Sequence, residues 1–155
     1  MTEENKDLAG RFPRFCAAMI DGVILMVLLF AIAKITGFWE QIMPRLAQNI
    51  PLTMEESIIA FVVGQALFLI LNGMLLAKHG QTIGKAIIGV KIVDTQQNAV
   101  GFAKLYVLRY LTIVFISMIP VVGSLLNLLN ILFIFGKERR CLHDRIAGTI
   151  VIVAK

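Results

Sequence analysis

Two long apolar runs restrict the fold of this chain more than any other feature of its sequence. The first predicts a helix from about residue 15 to residue 36, and the second predicts one from about residue 57 to residue 77. Each run has the ~20 residues with which a helix crosses a hydrocarbon core of about 30 Å. Because 58% of the 155 residues are hydrophobic and only 16% are charged, an ordinary soluble domain is excluded. The sequence therefore predicts an integral membrane protein.

A third apolar block covers residues 105–135 and is interrupted by the sequence IPVVGS. Pro120 removes a backbone donor and Gly123 weakens the helix, so the block forms either one kinked span or a helical hairpin. Basic residues are concentrated before the first run, between residues 78 and 109, and in the C-terminal tail. The positive-inside rule then predicts cytoplasmic N- and C-termini, which requires an even number of crossings and favours the hairpin.

The connecting segments are less apolar. Residues 38–50 place apolar side chains near one helical face, which suits a segment on the outer membrane surface, although Pro44 argues against one regular helix. A β-branched segment at 87–94 predicts a buried strand, and the C-terminal GTIVIVAK predicts a second. The predicted fold is an all-α membrane protein in which these two segments can pair into a small cytoplasmic β-sheet.

Asp21 is the deepest ionisable group in the two clear spans. A carboxylate at that depth costs at least ~2.5–3.5 kcal/mol on insertion scales, and it marks an ion path, a proton relay or a buried pair. Arg14 lies two helical turns earlier, about 10 Å away, where its side chain can snorkel or bind lipid phosphate. The pattern leaves two alternatives for Asp21: an ion and proton site, or a structural partner of a base such as Arg109 or a helix cap.

Other polar residues recur along the apolar blocks. They are Ser57, Gly64 or Gln65, and Asn72 in the second run, and Ser117, Ser124 and Asn127 in the third block. Such rows suit hydrogen bonds between helices, and their oxygens could also contact a partly dehydrated cation. The sequence does not separate these two roles.

Several classes of function find no support in the sequence. GQTIGK resembles a phosphate loop, but its glycines are too close together and Ala86 stands where a metal-binding hydroxyl is needed. Cys141 and His143 are distant from Cys16, so no zinc spacing appears. No nucleophile–base set can be assembled, and we expect neither an enzyme nor a cofactor nor a resident metal. The net charge of +5 comes from the flanks of the spans, so nucleic-acid binding is not required to explain it.

Four segments taken together resemble the RDD family of small bacterial membrane proteins: RFPRFCAAMIDGVIL, GQTIGKAIIGVKIVD, LRYL and LHDRIAGTIVIV. The resemblance implies a single RDD-like membrane domain over residues 1–155, in the bacterial cytoplasmic (inner) membrane. The family is named for an arginine and two aspartates, which the resemblance assigns to Arg14, Asp21 and Asp144. Some members are described as alkali-cation/proton antiporters, so the resemblance also implies transport.

The leading hypothesis is therefore a small transporter that exchanges Na⁺ or another monovalent cation for protons at Asp21. Arg14 would tune this carboxylate, and Asp144 would pair with Arg139 or Arg140. Structural support is expected from Arg109, Gln65, Asn72 and Asn127. Because so few helices can hardly enclose a path, we expect a homo-oligomer. The alternative is a non-transporting scaffold or accessory subunit that binds lipid or a partner protein.

Overall fold

Two long helices dominate the computed structural model, which describes residues 8–117, isolated positions between 119 and 133, and residues 140–154. Helix α1 covers Arg11–Ile35, and helix α3 covers Met54–His79. Both are long and apolar enough to cross a membrane, and only 6% of the most apolar window of each is buried inside the chain. The core helix of a soluble protein would be mostly buried. The exposed apolar surface of α1 and α3 therefore fits two membrane-spanning helices.

The long helices begin three to four residues earlier than the apolar runs alone predict, and their first turns contain the reason. Pro13 lies in the first turn of α1, where a missing N–H breaks no helical hydrogen bond. At the start of α3, Thr53 and Glu56 form a capping box. The Thr53 side chain accepts from the Glu56 N–H, and the Glu56 carboxylate accepts from the Thr53 N–H at 2.7 Å.

Helix α2 covers Phe38–Ala47 and packs back against the end of α1. Lys34 donates to Glu40 at 2.7 Å, and the rings of Phe30 and Trp39 lie 4.8 Å apart. The expectation that Pro44 prevents one regular helix here is wrong. Pro44 lies inside α2, where it removes only one donor from a helix that remains continuous on either side.

A short helix and two strands lie beyond the end of α3. Helix α4 covers Ile83–Ile88, strand β1 covers Val90–Asp94, and strand β2 covers Thr149–Val153. The strands pair antiparallel, which confirms the predicted small sheet. The strand predicted at 87–94 starts later than expected because its first residues complete α4, which is capped by Gly89 in the left-handed region (φ 75°).

The third apolar block starts as one continuous helical path. Helix α5 covers Phe102–Lys104, a π-helix covers Leu105–Leu111, and helix α6 covers Thr112–Ser117. Asn127 and the choice between a hairpin and a kinked span lie outside the described residues. The continuous description of the chain resumes at residue 140, and helix α7, Leu142–Ile146, leads into β2.

The core lies at one end of the long helices, where the sheet covers them. Its buried side chains come from α1, α3, the π-helix and both strands: Ala17, Leu76, Val90, Ile92, Leu105 and Val151. Gly80 ends α3 with a φ of 63°, and a Cβ there would lie 2.5 Å from the Ile92 carbonyl oxygen. A glycine is therefore needed at the point where the chain turns from α3 toward the sheet.

Candidate functional site

The Asp144 cluster consists of Asp144, Arg14 and Arg109, at the junction between the helices and the sheet. Asp144 lies in α7 with only 1% of its side chain exposed. Its carboxylate contacts the guanidinium of Arg14 from α1 at 3.8 Å and that of Arg109 from the π-helix. It also lies 3.3 Å from His143 Nε2 and accepts from the Cys141 N–H at 3.2 Å. A single carboxylate thus joins three separate parts of the chain.

Both arginines of the cluster also bond to strand β2. Arg14 donates to the Val151 carbonyl oxygen at 2.8 Å, and Arg109 donates to the Thr149 hydroxyl at 2.8 Å. Their side chains are 8% and 5% exposed. The expectation that Arg14 reaches toward lipid is therefore wrong, because its guanidinium is turned into the protein.

Burial and the charges of the cluster shift the pKa values of Asp144 and of its neighbours His143 and Cys141. Burial opposes the ionisation of Asp144, but the charge of Arg109, the His143 hydrogen bond and the charge of Arg14 outweigh it and hold its pKa below the ordinary value. Burial lowers the pKa of His143, which favours the neutral imidazole. Burial, followed by the nearby Asp144 charge, raises the pKa of the Cys141 thiol to about 11.

Cys141, His143 and Asp144 could each offer one ligand atom to a metal ion, since these atoms lie within 4.8 Å of one another. The chemistry of the donors argues against such a role. A metal binds the thiolate and releases the thiol proton, and both burial and the Asp144 charge oppose the thiolate form of Cys141. Asp144 is already shared between two guanidinium groups, which would repel a cation. The arrangement fits a buried ionic cluster better than a metal site.

The Asp21 cluster consists of Asp21, Thr82 and Lys85, and it joins α1 to α4. Oxygen Oδ2 of Asp21 accepts from the Thr82 hydroxyl at 2.5 Å, and Oδ1 accepts from the Gly84 N–H at 2.7 Å. Lys85 Nζ lies 3.8 Å from Oδ2 and donates to the Thr82 hydroxyl oxygen at 3.2 Å. Asp21 therefore caps the N-terminus of α4 from a neighbouring helix and forms an ion pair with a lysine of α4.

Two further features hold α4 in this position. The Ile83 N–H donates to the side-chain oxygen of Asn72 on α3 at 2.9 Å, and Asn72 is buried. Gly84 lies so close to α1 that an added Cβ would overlap the Ala17 carbonyl oxygen and lie 2.9 Å from the Asp21 carboxyl carbon. Side chains from both candidate spans thus accept hydrogen bonds from backbone N–H groups in the first turn of α4.

The family comparison extends over most of the chain. The model of the RDD family matches residues 8–148. The chain belongs to the RDD family. The comparisons with curated proteins and with solved structures gave no match. The matched region of this RDD protein includes every residue of the Asp21 and Asp144 clusters.

The structure distributes the residues singled out from the sequence over separate sites. Asp21 and Asn72 meet at the start of α4, whereas Arg14, Arg109 and Asp144 meet beside the sheet. Of the structural alternatives for Asp21, the helix cap is confirmed at the start of α4, and the pairing with Arg109 is wrong, because Arg109 contacts Asp144 and Lys85 contacts Asp21.

Of the two expected partners of Asp144, only Arg140 lies in the described part of the chain. Arg140 donates to the backbone oxygens of Asp144 and Thr149, while the Asp144 carboxylate contacts Arg14 and Arg109. Arg139 lies outside the part of the chain that the structure describes. Gln65 accepts from the Tyr106 hydroxyl at 2.9 Å, a hydrogen bond between α3 and the π-helix of the kind that the polar rows suggest.

Sequence reasoning missed the partners of Asp21, which lie in the discounted GQTIGK segment. A threonine directly before an apolar helix is a recognised signal of a helix start, and Thr82 holds this position before α4. Lys85 lies on the first turn of that helix. The signal of a short capped helix was therefore present. Nothing in the sequence indicates that the capping carboxylate comes from a residue 61 positions earlier than Thr82.

A cavity of about 350 Å³ lies between α1, α3 and the third apolar block. Leu25, one helical turn beyond Asp21, contributes to its lining together with Gln65 and Tyr110. The ring of Tyr110 also lies 5.7 Å from Lys85 Nζ. Lys85 thus contacts the Asp21 carboxylate on one side and a cavity-lining residue on the other.

Proposed function

We propose that this RDD protein exchanges a monovalent cation, with Na⁺ as the first candidate, for protons across a membrane. The observation that supports this proposal is the pairing of Asp21, on a candidate span, with a lysine that is 13% exposed. A lysine can release its proton, whereas an arginine guanidinium keeps its charge under all ordinary conditions. Asp21 is therefore paired with a lysine in a partly exposed cluster, whereas Asp144 lies between two arginines whose charges are permanent.

The Asp21 cluster also offers the oxygen atoms that a hard cation needs. Asp21 supplies a carboxylate that is 18% exposed, and Thr82 supplies a hydroxyl oxygen next to it. The Asn72 side-chain oxygen bonds to Ile83, one residue before the Gly84 N–H that bonds to Asp21. Carboxylate, hydroxyl and amide oxygens are ligands that hard cations prefer. A cation and a proton would then compete for this one cluster.

A single chain provides only a small part of the ion path across the membrane that such an exchange needs. The described part of the chain contains two candidate spans, and the cavity beyond Asp21 is lined mainly by apolar side chains. We therefore propose a homo-oligomer whose subunits together enclose the path.

The proposed location is the bacterial cytoplasmic (inner) membrane, with both termini in the cytoplasm. Single cysteines placed at the N-terminus, at Thr95 and at Lys155, after replacement of Cys16 and Cys141 by serine, should all be labelled from the cytoplasmic side by an impermeant reagent. Labelling of the Lys155 probe from outside would contradict this arrangement.

Reconstitution into sealed vesicles tests the proposed exchange directly. Purified protein is placed in Na⁺-free vesicles that contain a pH-sensitive dye, and NaCl is added outside. We expect the lumen to become alkaline as Na⁺ enters and protons leave, while choline chloride and protein-free vesicles give no change. Repeated absence of the signal, with both protein orientations verified in the vesicles, would contradict the exchange.

One set of contacts favours the scaffold as a second candidate function. Asp21 joins α1 to α4, and Asp144 joins α1, the π-helix and α7, so each carboxylate also has a structural role. If Asp21 and Asp144 have only this structural role, the protein would bind lipid or a partner protein through its helices and basic surface. The variants of Asp21 described below separate this candidate from transport.

A further inference from the structure

We propose that the groove between α1, α2 and α3 binds an acyl chain of a phosphatidylethanolamine, whose head group is held by Lys34 and Glu40. The groove has a volume of about 960 Å³ and is lined by side chains of all three helices. Its lining residues belong to neither the Asp21 cluster nor the Asp144 cluster. Lipid binding in this groove therefore does not depend on the proposed exchange.

The groove has the depth of one lipid leaflet. On α1 its lining extends from Gly22 to Ala33, which is about 16 Å at a rise of about 1.5 Å per residue. A leaflet contributes about half of a hydrocarbon core of ~30 Å. The groove lies toward the α2 end of α1, whereas the core and the sheet lie at the other end, beside Ala17. An acyl chain of the leaflet farther from the sheet therefore matches the groove in length.

The lining of the groove favours a hydrocarbon chain over water. Apart from Thr36, Gln41 and the indole N–H of Trp39, the described residues of the lining are apolar. The Thr36 hydroxyl donates to the Ile32 carbonyl oxygen of its own chain segment at 2.9 Å. A buried water needs about two to four polar partners, and an empty groove loses the dispersion contacts of its walls. A hydrocarbon chain supplies these contacts and needs no hydrogen-bond partner.

The groove is too narrow for the helix of a second copy of the chain. An α-helix with its side chains is about 11 Å wide and rises about 5.4 Å per turn, which gives about 500 Å³ per turn. A volume of about 960 Å³ therefore holds fewer than two turns, or about 10 Å of helix. Because the groove is longer than this, its cross-section is smaller than that of a helix. An extended acyl chain fits this shape.

An exposed ion pair lies at the α2 end of the groove, where the head group would be. Lys34, in the last turn of α1, donates to Glu40, in the first turn of α2, at 2.7 Å. Lys34 Nζ also lies 5.8 Å from the ring of Trp39, which lines the groove. An ammonium has three donors and a carboxylate has two oxygens, so each group can bind a further partner. The lipid phosphate would accept from Lys34, and the lipid ammonium would donate to Glu40.

Pro44 leaves a second acceptor on Glu40. In an α-helix, each N–H donates to the carbonyl oxygen four residues earlier. Pro44 lies inside α2 and has no N–H, so the Glu40 carbonyl oxygen lacks this donor. The primary ammonium of a phosphatidylethanolamine has three N–H donors, as a lysine has, and can bond to both acceptors. The trimethylated ammonium of a phosphatidylcholine has no N–H and cannot do so.

The charges at this end of the helices favour a head group without net charge. Lys34 and Glu40 balance each other, and Arg45 of α2 forms a second ion pair with Glu56 of α3 at 2.5 Å. Glu55 adds an exposed negative charge in the first turn of α3. An anionic phosphatidylglycerol would bring a further negative charge with no ammonium to balance it. This end is therefore complementary to a head group that carries one phosphate and one ammonium.

Native mass spectrometry of delipidated, detergent-purified protein tests this site. A phosphatidylethanolamine and a phosphatidylglycerol with identical acyl chains are titrated in, and bound lipid is counted per subunit. Ala33→Leu places a larger side chain in the groove, and Ala66→Leu is its matched control, because Ala66 is exposed on α3 and outside the groove lining. Lys34→Gln and Glu40→Gln alter the head-group contacts. Size-exclusion elution and thermal unfolding check that each variant is folded.

We expect wild-type protein and Ala66→Leu to bind one phosphatidylethanolamine per subunit. This lipid should bind about fivefold more tightly than the phosphatidylglycerol, since an exposed charge contact is worth up to about this factor. Ala33→Leu should weaken the binding of both lipids by more than about tenfold, because it displaces about three methylene groups of the chain from the groove. Glu40→Gln should remove the preference between the two lipids, and Lys34→Gln should weaken the binding of both.

Equal lipid binding by wild-type protein and folded Ala33→Leu would overturn the acyl-chain site. Loss of subunits from the Ala33→Leu assembly with lipid binding retained would assign the groove to a second copy, and would overturn the site as well. If Ala33→Leu does not fold, the exposed positions decide: an unchanged lipid preference in Glu40→Gln would overturn the assignment. Exchange enters none of these measurements, so a failure of the proposed function is distinguished from a failure of the lipid site.

Discussion

Asp144 and Asp21 are both paired carboxylates, but their surroundings differ in the type of base and in access to water. Asp144 is 1% exposed and lies between two arginines that are themselves bonded to strand β2. Asp21 is 18% exposed and pairs with Lys85, which is 13% exposed. A carboxylate that lies between permanent charges in a buried site is suited to a structural role. A carboxylate paired with a lysine near water can also change partners.

The two clusters divide Arg14, Asp21 and Asp144 between them. Arg14 and Asp144 belong to one cluster, which fixes α1 and the π-helix against the sheet. Asp21 belongs to the other, which fixes α4 but leaves ionisable groups within reach of water. We therefore expect substitutions in the Asp144 cluster to affect folding first, and substitutions in the Asp21 cluster to affect exchange first.

The largest effect on stability is expected from Asp144→Asn. It removes the carboxylate charge that the buried guanidinium groups of Arg14 and Arg109 contact, and breaking such a buried ionic cluster costs about 3–5 kcal/mol. The yield of monodisperse protein and the temperature of unfolding should both fall sharply. Glu55→Gln is the control, since Glu55 is exposed in the first turn of α3 and its loss should cost no more than about 1 kcal/mol. Wild-type stability of Asp144→Asn with altered ion selectivity would contradict the structural role.

A smaller loss of stability is expected from Gly84→Ala. The added Cβ would overlap the Ala17 carbonyl oxygen, so α4 must move away from α1 and from the Asp21 carboxylate. Overpacking of this kind typically costs about 1–3 kcal/mol, and exchange should fall with it. Gly73→Ala, in the interior of α3 with no described atom within 4 Å of the added Cβ, should be neutral or slightly stabilising. Equal unfolding temperatures for the two variants would show that α4 does not need this close approach.

The smallest of these effects is a pH dependence of stability that arises from His143, which lies beside the Asp144 carboxylate. Because burial lowers the pKa of His143 in the folded protein, the unfolded chain binds this proton more readily as the pH falls. Stability should be fully present above the unfolded histidine pKa and should decrease between about pH 7.5 and pH 5.5. Unfolding temperatures measured over this range test it.

Two variants identify the group responsible for that pH dependence. His143→Gln should flatten the profile, whereas His79→Gln, at the exposed end of α3, should keep it. The lowered pKa of Asp144 contributes at lower pH, because its stabilising effect is lost only as the pH falls below the ordinary carboxyl range. An unchanged slope in His143→Gln would assign the dependence to another group.

The long helices and the sheet could be predicted because local patterns determine them. The apolar runs are long enough to be recognised without any partner, and the β-branched run of β2 has a matching partner in β1. The start of β1 could not be predicted from composition alone, because Ile87 and Ile88 suit a strand as well as the last turn of α4.

The candidate site could be predicted only in part, because its partners are distant in sequence. Asp21 and Asp144 stand out as charges near apolar segments, which is a local signal. Their partners depend on tertiary packing: Lys85 reaches Asp21 because Gly84 allows α4 to approach α1, and Arg14 bonds to a residue 137 positions later. No spacing rule within one helix or strand indicates such contacts.

The most direct test of the central claim compares exchange and assembly in one preparation of Asp21→Asn. The asparagine can accept from the Gly84 N–H and donate to the Thr82 hydroxyl oxygen, so the cap of α4 is retained and the cost in stability should be about 1 kcal/mol. The negative charge that binds the cation is lost, however. We predict that Asp21→Asn assembles like the wild-type protein but shows no Na⁺-driven proton flux, while Asp21→Glu keeps some flux with a shifted pH profile. Full flux in assembled Asp21→Asn would contradict the claim that Asp21 is the exchange site.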